Sequence, residues 1–368
     1  MRYEESELRA IIGNFIIEGE LAKIILYGDG LINQTYFVET AGESSPDYIL
    51  QNKNTNIFKD IPGMMNNIQR VTAHLKAKVK QAGGDPEREA MTVIESKSGE
   101  PFYKDEQGNF WTLYLFISDT QTYESADTPE DAYAGGKGIG KFQRMLADME
   151  GELTDILPGF HNMRYRFQQW DAVLAKDPVG RKKELSAEIN WIESRRAEMM
   201  DFWKLVESGE IPIRVTHNDT KINNILFDQK GEVLCVIDLD TVLSSTVLND
   251  FGDAIRSYTN TGLEDDPDLS KVGMDMRIFE GFTKGYLSEA RAFLTESEKH
   301  YLAFSAKFIT YEQVLRFLMD YIDGDNYYRV NSEDHNLVRT RAQYQLLLSI
   351  EAQMDAMNAI VKESCSTI

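Results

Sequence analysis

Only two cysteines occur in 368 residues, Cys235 in an apolar run and Cys365 close to the end. They form no disulfide framework and no metal-binding spacing, so a reducing cytoplasm is the expected location. Basic charge is also scarce: 39 Lys and Arg stand against 60 Asp and Glu, a formal net charge of −21. A general nucleic-acid or anionic-membrane binder needs a basic face, so both classes are excluded, while a local basic pocket for one small anion stays open. Long apolar runs are missing too. Nothing approaches the roughly 18 residues of a spanning helix, and the opening MRYEESELRAIIGNF has no apolar signal core. What remains is ordinary for a soluble chain, 42% hydrophobic and 27% charged, and its length suits one large bilobal domain or two domains. A monomer or weak homo-oligomer is the expected state.

Hydrophobic periodicity divides the chain. Leu8, Ile11, Ile12, Phe15 and Ile16 recur at helical spacing after an acidic start. Then AKIILYG, QTYFVET, DYILQNK and FWTLYLFIS are short, rich in β-branched and aromatic residues, and bounded by turn formers. One helical stretch at 64–79 interrupts them. The spacing predicts a mostly antiparallel sheet over residues 1–120, a hinge near 117–125, and helices through 121–368 at roughly 129–150, 162–175, 183–207, 275–294, 298–322 and 334–362. The class is therefore α+β.

One island of strand breaks the helical half, VTHNDTKINNILFDQKGEVLCVIDLDT at 215–241. ILF and EVLCVI flank the turn DQKG, so 225–237 reads as a hairpin with Asn224 at one outer end and Asp238 at the other. Asp219 precedes it. Oxygen-bearing side chains without cysteine suit Mg²⁺, a hard ion that takes one or two protein carboxylates plus substrate phosphates. Phosphoryl transfer needs an acid to orient and deprotonate a hydroxyl, and an Asn and an Asp to hold the metal on the nucleotide. His217, Asp219 and Asn224 reproduce the spacing H-x-D-x-x-x-x-N of the kinase catalytic loop, and Asp238 follows as the second metal residue. His217 reads as a brace for the loop. Asp240 and Asp253 stay open between support of the site and helix capping.

This frame resembles the aminoglycoside phosphotransferase and choline kinase family. The longer wording HNDTKINN with VIDLDTV, together with GDGLINQTYFV, NTNIF, FLMDYIDGDNYY and HNLVRTRAQ, is most similar to its N-acetylhexosamine 1-kinases. The resemblance implies a protein-kinase-like bilobal fold with a β-rich N-terminal lobe for ATP and a mainly helical C-terminal lobe. It implies Asp219 as the base, Asn224 and Asp238 on Mg²⁺, adenine against backbone groups around Phe116 to Asp119, and a sugar acceptor. Gly28 and Gly30 would cover the phosphates, since glycine lets backbone approach them closely. Where the wider pattern has a strand Lys, this chain has Gln51, with Lys53 two residues on and on the same strand face; both are expected near the nucleotide. No Glu in 64–79 offers itself as a partner for such a Lys.

Sugar sites need hydrogen-bonding forks for hydroxyls and flat faces for the ring. Arg316 and Tyr327, in the stretch 311–343, carry that expectation, with Asn33 as a further acceptor residue. The expected activity is ATP-dependent phosphorylation of GlcNAc or GalNAc at the anomeric hydroxyl, with choline or an aminoglycoside as alternative acceptors. Trp170, Trp191 and Trp203 sit in helical settings that suit core packing rather than a choline cage. Two further alternatives are a nucleotide-binding pseudokinase, motivated by Gln51, and a haloacid-dehalogenase-like phosphatase, in which IDLDTV would supply Asp238 and Asp240. The latter family places that strand near the start of a doubly wound parallel domain.

Overall fold

The structure is a computed structural model that describes residues 3–28, 32–42 and 44–366. The chain divides into two units, the first taking Met1–Gln121, Asp148–Leu157 and Leu226–Leu243, the second Thr122–Ala147, Pro158–Ile225 and Ser244–Ile368.

The first unit runs α1 (Glu5–Ile12), β1 (Glu20–Leu26), β2 (Gln34–Ala41), β3 (Tyr48–Lys53), α2 (Ile61–Gln81), β4 (Val93–Ile94), β5 (Tyr103–Lys104) and β6 (Phe110–Leu115). The strands form one sheet in the order β1-β2-β3-β6-β4, with β5 also on β6 and every pair antiparallel. Strand alternation sends Tyr36, Val38, Tyr48, Leu50 and Leu113 to one face, where they bury Leu8, Ile12 and Phe15 from and just after α1. The register pairs Gln51 with Thr35 and Thr112, and Ile49 with Phe37 and Tyr114, on the opposite face. There the Tyr114 hydroxyl meets Met65 Sδ of α2 at 3.7 Å. Helix α2 starts where Asp60 accepts the Gly63 N–H at 2.9 Å, one residue after Pro62 fits the first turn. It is longer than the 64–79 expected. Strands β4 and β5 were not expected, because two residues cannot show an alternation.

The second unit opens with α3 (Pro129–Leu146), α4 (Met163–Lys176), α5 (Ser186–Glu193), α6 (Arg196–Glu207) and β7 (Arg214–Thr216). The hairpin β8 (Ile225–Phe227) and β9 (Val233–Val236), which from Leu226 onward belongs to the first unit, forms as expected. After β10 (Leu243–Ser245), which pairs with β7, come α7 (Val247–Tyr258), α8 (Met276–Ala290), α9 (Glu296–Asp323) and α10 (His335–Ser366). The helix expected over 183–207 is two helices, because the chain turns at Ser194–Arg195 and sends the Arg195 guanidinium onto Glu351 at 2.6 Å. Helix α7 was missed altogether. Its Asp250, Asp253 and Arg256 are buried, so it lacks the solvated polar stripe that marks a surface helix.

Helices α3 and α8 approach closely through small residues. A Cβ on Gly136 would lie 2.2 Å from the Phe282 carbonyl, and one on Gly285 would lie 2.0 Å from the Tyr133 carbonyl. Among the described residues no helix is long and apolar enough to cross a membrane. The phosphatase alternative loses its scaffold here: the six-stranded sheet is antiparallel, and Asp238 follows a strand of a two-stranded hairpin.

Candidate active site

In the second unit, β7 delivers His217 into the interior, and Asn218 then takes a left-handed backbone with φ 64°. A buried loop must satisfy its amides, and α7 does this with two carboxylates. Asp250 accepts the N–H groups of His217 at 3.0 Å and Asn218 at 2.7 Å, and the Gln143 amide at 2.8 Å. Asp253 accepts the Thr220 N–H at 3.0 Å, while the Thr220 hydroxyl donates to the Asp250 carbonyl at 2.7 Å. Burial pushes the Asp250 carboxyl up. Burial opposes ionisation of Asp253 as well, but Arg256 and Lys221 outweigh it and hold that carboxyl below its usual range.

The braced loop carries the expected residues. The Asp219 N–H donates to His217 Nδ1 at 3.2 Å, so His217 braces the loop as its position suggested. The Asn224 amide donates to the Asp219 carbonyl at 2.9 Å and to its carboxylate at 3.2 Å, which turns Asn224 Oδ1 away as an acceptor. Lys221 Nζ lies 2.9 Å from Asp219 Oδ1. Burial works against the Lys221 ammonium, yet the Asp219 charge outweighs it and raises its pKa. Sequence reasoning missed Asp250 and Lys221. Asp250, three residues before Asp253 and thus on the same helix face, was the available signal.

In the first unit, buried Lys53 and Asp240 and half-buried Gln51 and Asn33 form one hydrogen-bonded group. Lys53 Nζ donates to Gln51 Oε1 at 2.6 Å and to both Asp240 oxygens at 2.7 and 2.8 Å. The Lys53 and Asp240 side chains are 0% and 6% exposed. Burial alone would depress the Lys53 pKa; Asp240 reverses that and raises it. Asn33 donates to Asp240 at 2.7 Å and accepts the Asn54 N–H at 3.1 Å. Asp240, whose role the sequence left open, is thus the counter-ion that was sought in 64–79. Asp238 takes φ 60° at the start of the 3₁₀ turn Leu239–Thr241, and its charge also bears on Lys53. Gly28 sits at φ 69°, a conformation open to glycine, whereas Gly30 lies outside the described residues. At the expected adenine segment the Phe116 N–H already donates to the Asp47 carbonyl at 2.9 Å.

Of the residues expected for the acceptor, Arg316 and Tyr327 line a cavity of about 420 Å³ between α4, α9 and the loop after α9, together with Arg166, Gln169, Lys176 and Asp320; Asp219 and Asn33 are not among its lining residues, and Asn33 is instead bonded to Asp240 in the first unit. The Arg316 guanidinium lies 5.5 to 5.6 Å from the ring centres of Phe160, Tyr327 and Tyr328. Its hydrogen bonds are long, 3.5 Å to Gln313 and 3.4 Å to the Tyr327 hydroxyl, so most of its five donors await a partner. Asp320 is consumed in ordering the loop, accepting the Tyr327 and Tyr328 N–H groups at 2.8 and 3.0 Å and the Asn336 amide at 2.8 Å. Glu312 bridges His161 at 2.7 Å and Arg166 at 3.0 Å; burial opposes its ionisation, but these partners hold it well below the usual carboxylate range.

The donors assigned to a metal are an amide oxygen, Asn224, and a carboxylate, Asp238. Among the described residues no group of three or more His, Cys, Asp or Glu is gathered as a metal cage. Each is the kind of oxygen donor that a hard ion takes alongside phosphates and water.

Residues 23–271 match the family model described as the phosphotransferase enzyme family. Solved structures share the fold at low identity. A microcompartment-associated aminopropanol kinase is 13% identical with a TM-score of 0.64, over 96% of this chain and 99% of that one. An amicoumacin kinase in complex with AMP-PNP and Ca²⁺ is 16% identical with a TM-score of 0.56, over 99% and 93%. The choline kinase of Streptococcus pneumoniae is 13% identical with a TM-score of 0.54, over 94% and 99%. With a family match across most of its length and an α+β kinase-like architecture, the chain belongs to the phosphotransferase enzyme family.

Proposed function

We propose that the protein is an ATP-dependent sugar kinase that converts N-acetylhexosamines, GlcNAc or GalNAc, to their 1-phosphates. The observation that carries the reading is the Arg316 cavity. The aminopropanol and choline kinases that share the fold are named for amine-bearing acceptors. A cationic acceptor would want anionic walls or an open aromatic cage. Here Arg316, Arg166 and Lys176 line the cavity against two carboxylates, Asp320 and Asp323, both already hydrogen-bonded, and Arg316 itself fills the space between the rings. Unsatisfied guanidinium donors beside tyrosine faces suit the hydroxyls and flat side of a neutral sugar, and disfavour choline and aminoglycosides by like-charge repulsion.

In this reading Asp219 orients the C1 hydroxyl and takes its proton, while α7 holds the loop that carries it. Arg316 and Tyr327 position the ring. Gly28, Gln51 and Lys53 serve the nucleotide from the first unit, Lys53 by fixing Gln51 and the Asp238–Asp240 turn. Motif order assigns Asn224 and Asp238 to Mg²⁺, which when bound offsets charge on the phosphates. The test is Asp219→Asn. It should keep the fold and MgATP binding and lose roughly 10²–10⁴-fold in kcat, the scale of a general base. Wild-type turnover by that variant would sink the assignment.

A further inference from the structure

We infer that Arg181 is a positioning residue for the acceptor: it fastens the loop after α9 and thereby sets where Tyr327 meets the sugar. The inference rests on the kinase reading above and concerns its acceptor side alone. The loop, residues 324–334, has no regular structure, and it opens on two left-handed positions, Gly324 at φ 97° and Asp325 at φ 60°. Tyr327 is 59% exposed, and its hydroxyl meets Arg316 at a long 3.4 Å. A side chain held so loosely is placed by its backbone, so whatever fixes the loop fixes the contact.

Two carboxylates anchor the first half of the loop. Asp320 accepts the Tyr327 and Tyr328 N–H groups, and it shares the Asn336 amide with Asp325, each at 2.8 Å. These donors are neutral, and two carboxylates joined through one amide repel each other. Arg181 supplies the cation. Its guanidinium donates to Asp325 at 2.6 Å and to the Tyr321 carbonyl at 2.8 Å, and it lies over the Tyr321 ring, 4.2 Å from its centre. The Tyr321 hydroxyl in turn donates to Asp334 at 3.2 Å, at the far end of the loop. With side chains 20% and 10% exposed, Arg181 and Asp325 are not the kind of surface pair that solvent renders worthless.

Arg181 comes from the connection between α4 and α5. That connection leaves α4 at Lys176, which lines the cavity, and turns through Asp177 and Gly180, both left-handed, before it reaches Arg181. It therefore ties the α4 wall of the cavity to the wall made by the loop after α9. Arg181 is not among the lining residues, so it acts through the loop rather than by touching the sugar. Lysine in its place would keep the charge but lose the planar fork and the face on Tyr321.

The experiment is steady-state kinetics with MgATP and whichever of GlcNAc and GalNAc turns over faster. It compares the wild type, Arg181→Met, Arg181→Lys, Tyr327→Ala and the double variant of Arg181→Met with Tyr327→Ala. Arg181→Met should raise KM for the sugar roughly tenfold or more, the scale of one lost charge-assisted hydrogen bond, and leave KM for ATP within about twofold. Arg181→Lys, which keeps the charge and guards against misfolding, should raise the sugar KM by a smaller factor. In the Tyr327→Ala background Arg181→Met should add less than about twofold, because the contact it positions is gone. A merely structural role would weaken both substrates alike and add in full to Tyr327→Ala. Either of those results, or an unchanged KM for the sugar, overturns the inference and leaves the kinase reading intact. A wild type that phosphorylates neither sugar overturns that reading and the inference with it.

Discussion

Replacing Lys53 by Met removes the positive half of a buried pair and keeps most of its apolar stem. Three hydrogen bonds of 2.6 to 2.8 Å disappear, and the Asp240 carboxylate, 6% exposed, keeps the Asn33 amide. Breaking a buried pair from one side costs about 3–5 kcal/mol, because the remaining charge is uncompensated. Against a native stability of about 5–15 kcal/mol, that is a large fraction. Replacing both partners by apolar groups is far milder, so Lys53→Met with Asp240→Leu should recover most of the loss. The pH dependence follows from the raised Lys53 pKa, in which Asp240 outweighs burial. Its stabilisation is complete below the unfolded value of about 10.4 and is lost as pH rises through the higher folded value. The deficit of the single variant should therefore be the same at neutral and mildly alkaline pH. Urea titrations followed by far-UV circular dichroism read all three proteins. A single variant within about 1 kcal/mol of wild type, or a double variant no more stable than the single, would refute the reasoning.

Two further perturbations test the scaffold. Gly285→Ala places a methyl 2.0 Å from the Tyr133 backbone carbonyl, which cannot rotate away, so α3 and α8 must part. A loss of about 1–3 kcal/mol is expected in thermal melts, and an unchanged Tm would contradict the close packing. Asp105 accepts the Trp111 indole N–H and the Asn109 amide, both at 2.9 Å; burial opposes its ionisation, but these bonds hold its pKa below the usual value. Its contribution should be present above about pH 4 and vanish as pH falls through the lower folded value. The stability gap between wild type and Asp105→Asn should accordingly close in acid, and a gap constant with pH would count against it.

What the sequence made legible follows from where the physics is local. β-Branched and aromatic runs marked the four longer strands of the sheet, since each strand must fit a pleated, half-buried surface. Phosphoryl-transfer chemistry concentrates its groups in one loop, so His217, Asp219 and Asn224 stood out by spacing, with Asp238 one hairpin later. The buried supports did not. Lys53 and Asp240 lie 187 residues apart, and no periodicity pairs them. Asp250 and Asp253 point inward from a helix with no solvated stripe, so α7 itself went unseen. Arg316 was legible by its family wording, but Glu312, His161 and Arg166 beneath it were not, because a buried charge network leaves no trace in spacing.

The central claim is transfer of the ATP γ-phosphoryl group to the anomeric hydroxyl of a neutral N-acetylhexosamine. Its most direct test is incubation with MgATP and a panel of GlcNAc, GalNAc, choline, aminopropanol and an aminoglycoside, with products read by mass and by ³¹P–¹H coupling. The account predicts phosphate coupled to the anomeric proton of the N-acetylhexosamines and no product from the amine-bearing acceptors. Phosphate on another sugar carbon, or on choline, aminopropanol or the aminoglycoside alone, would contradict it.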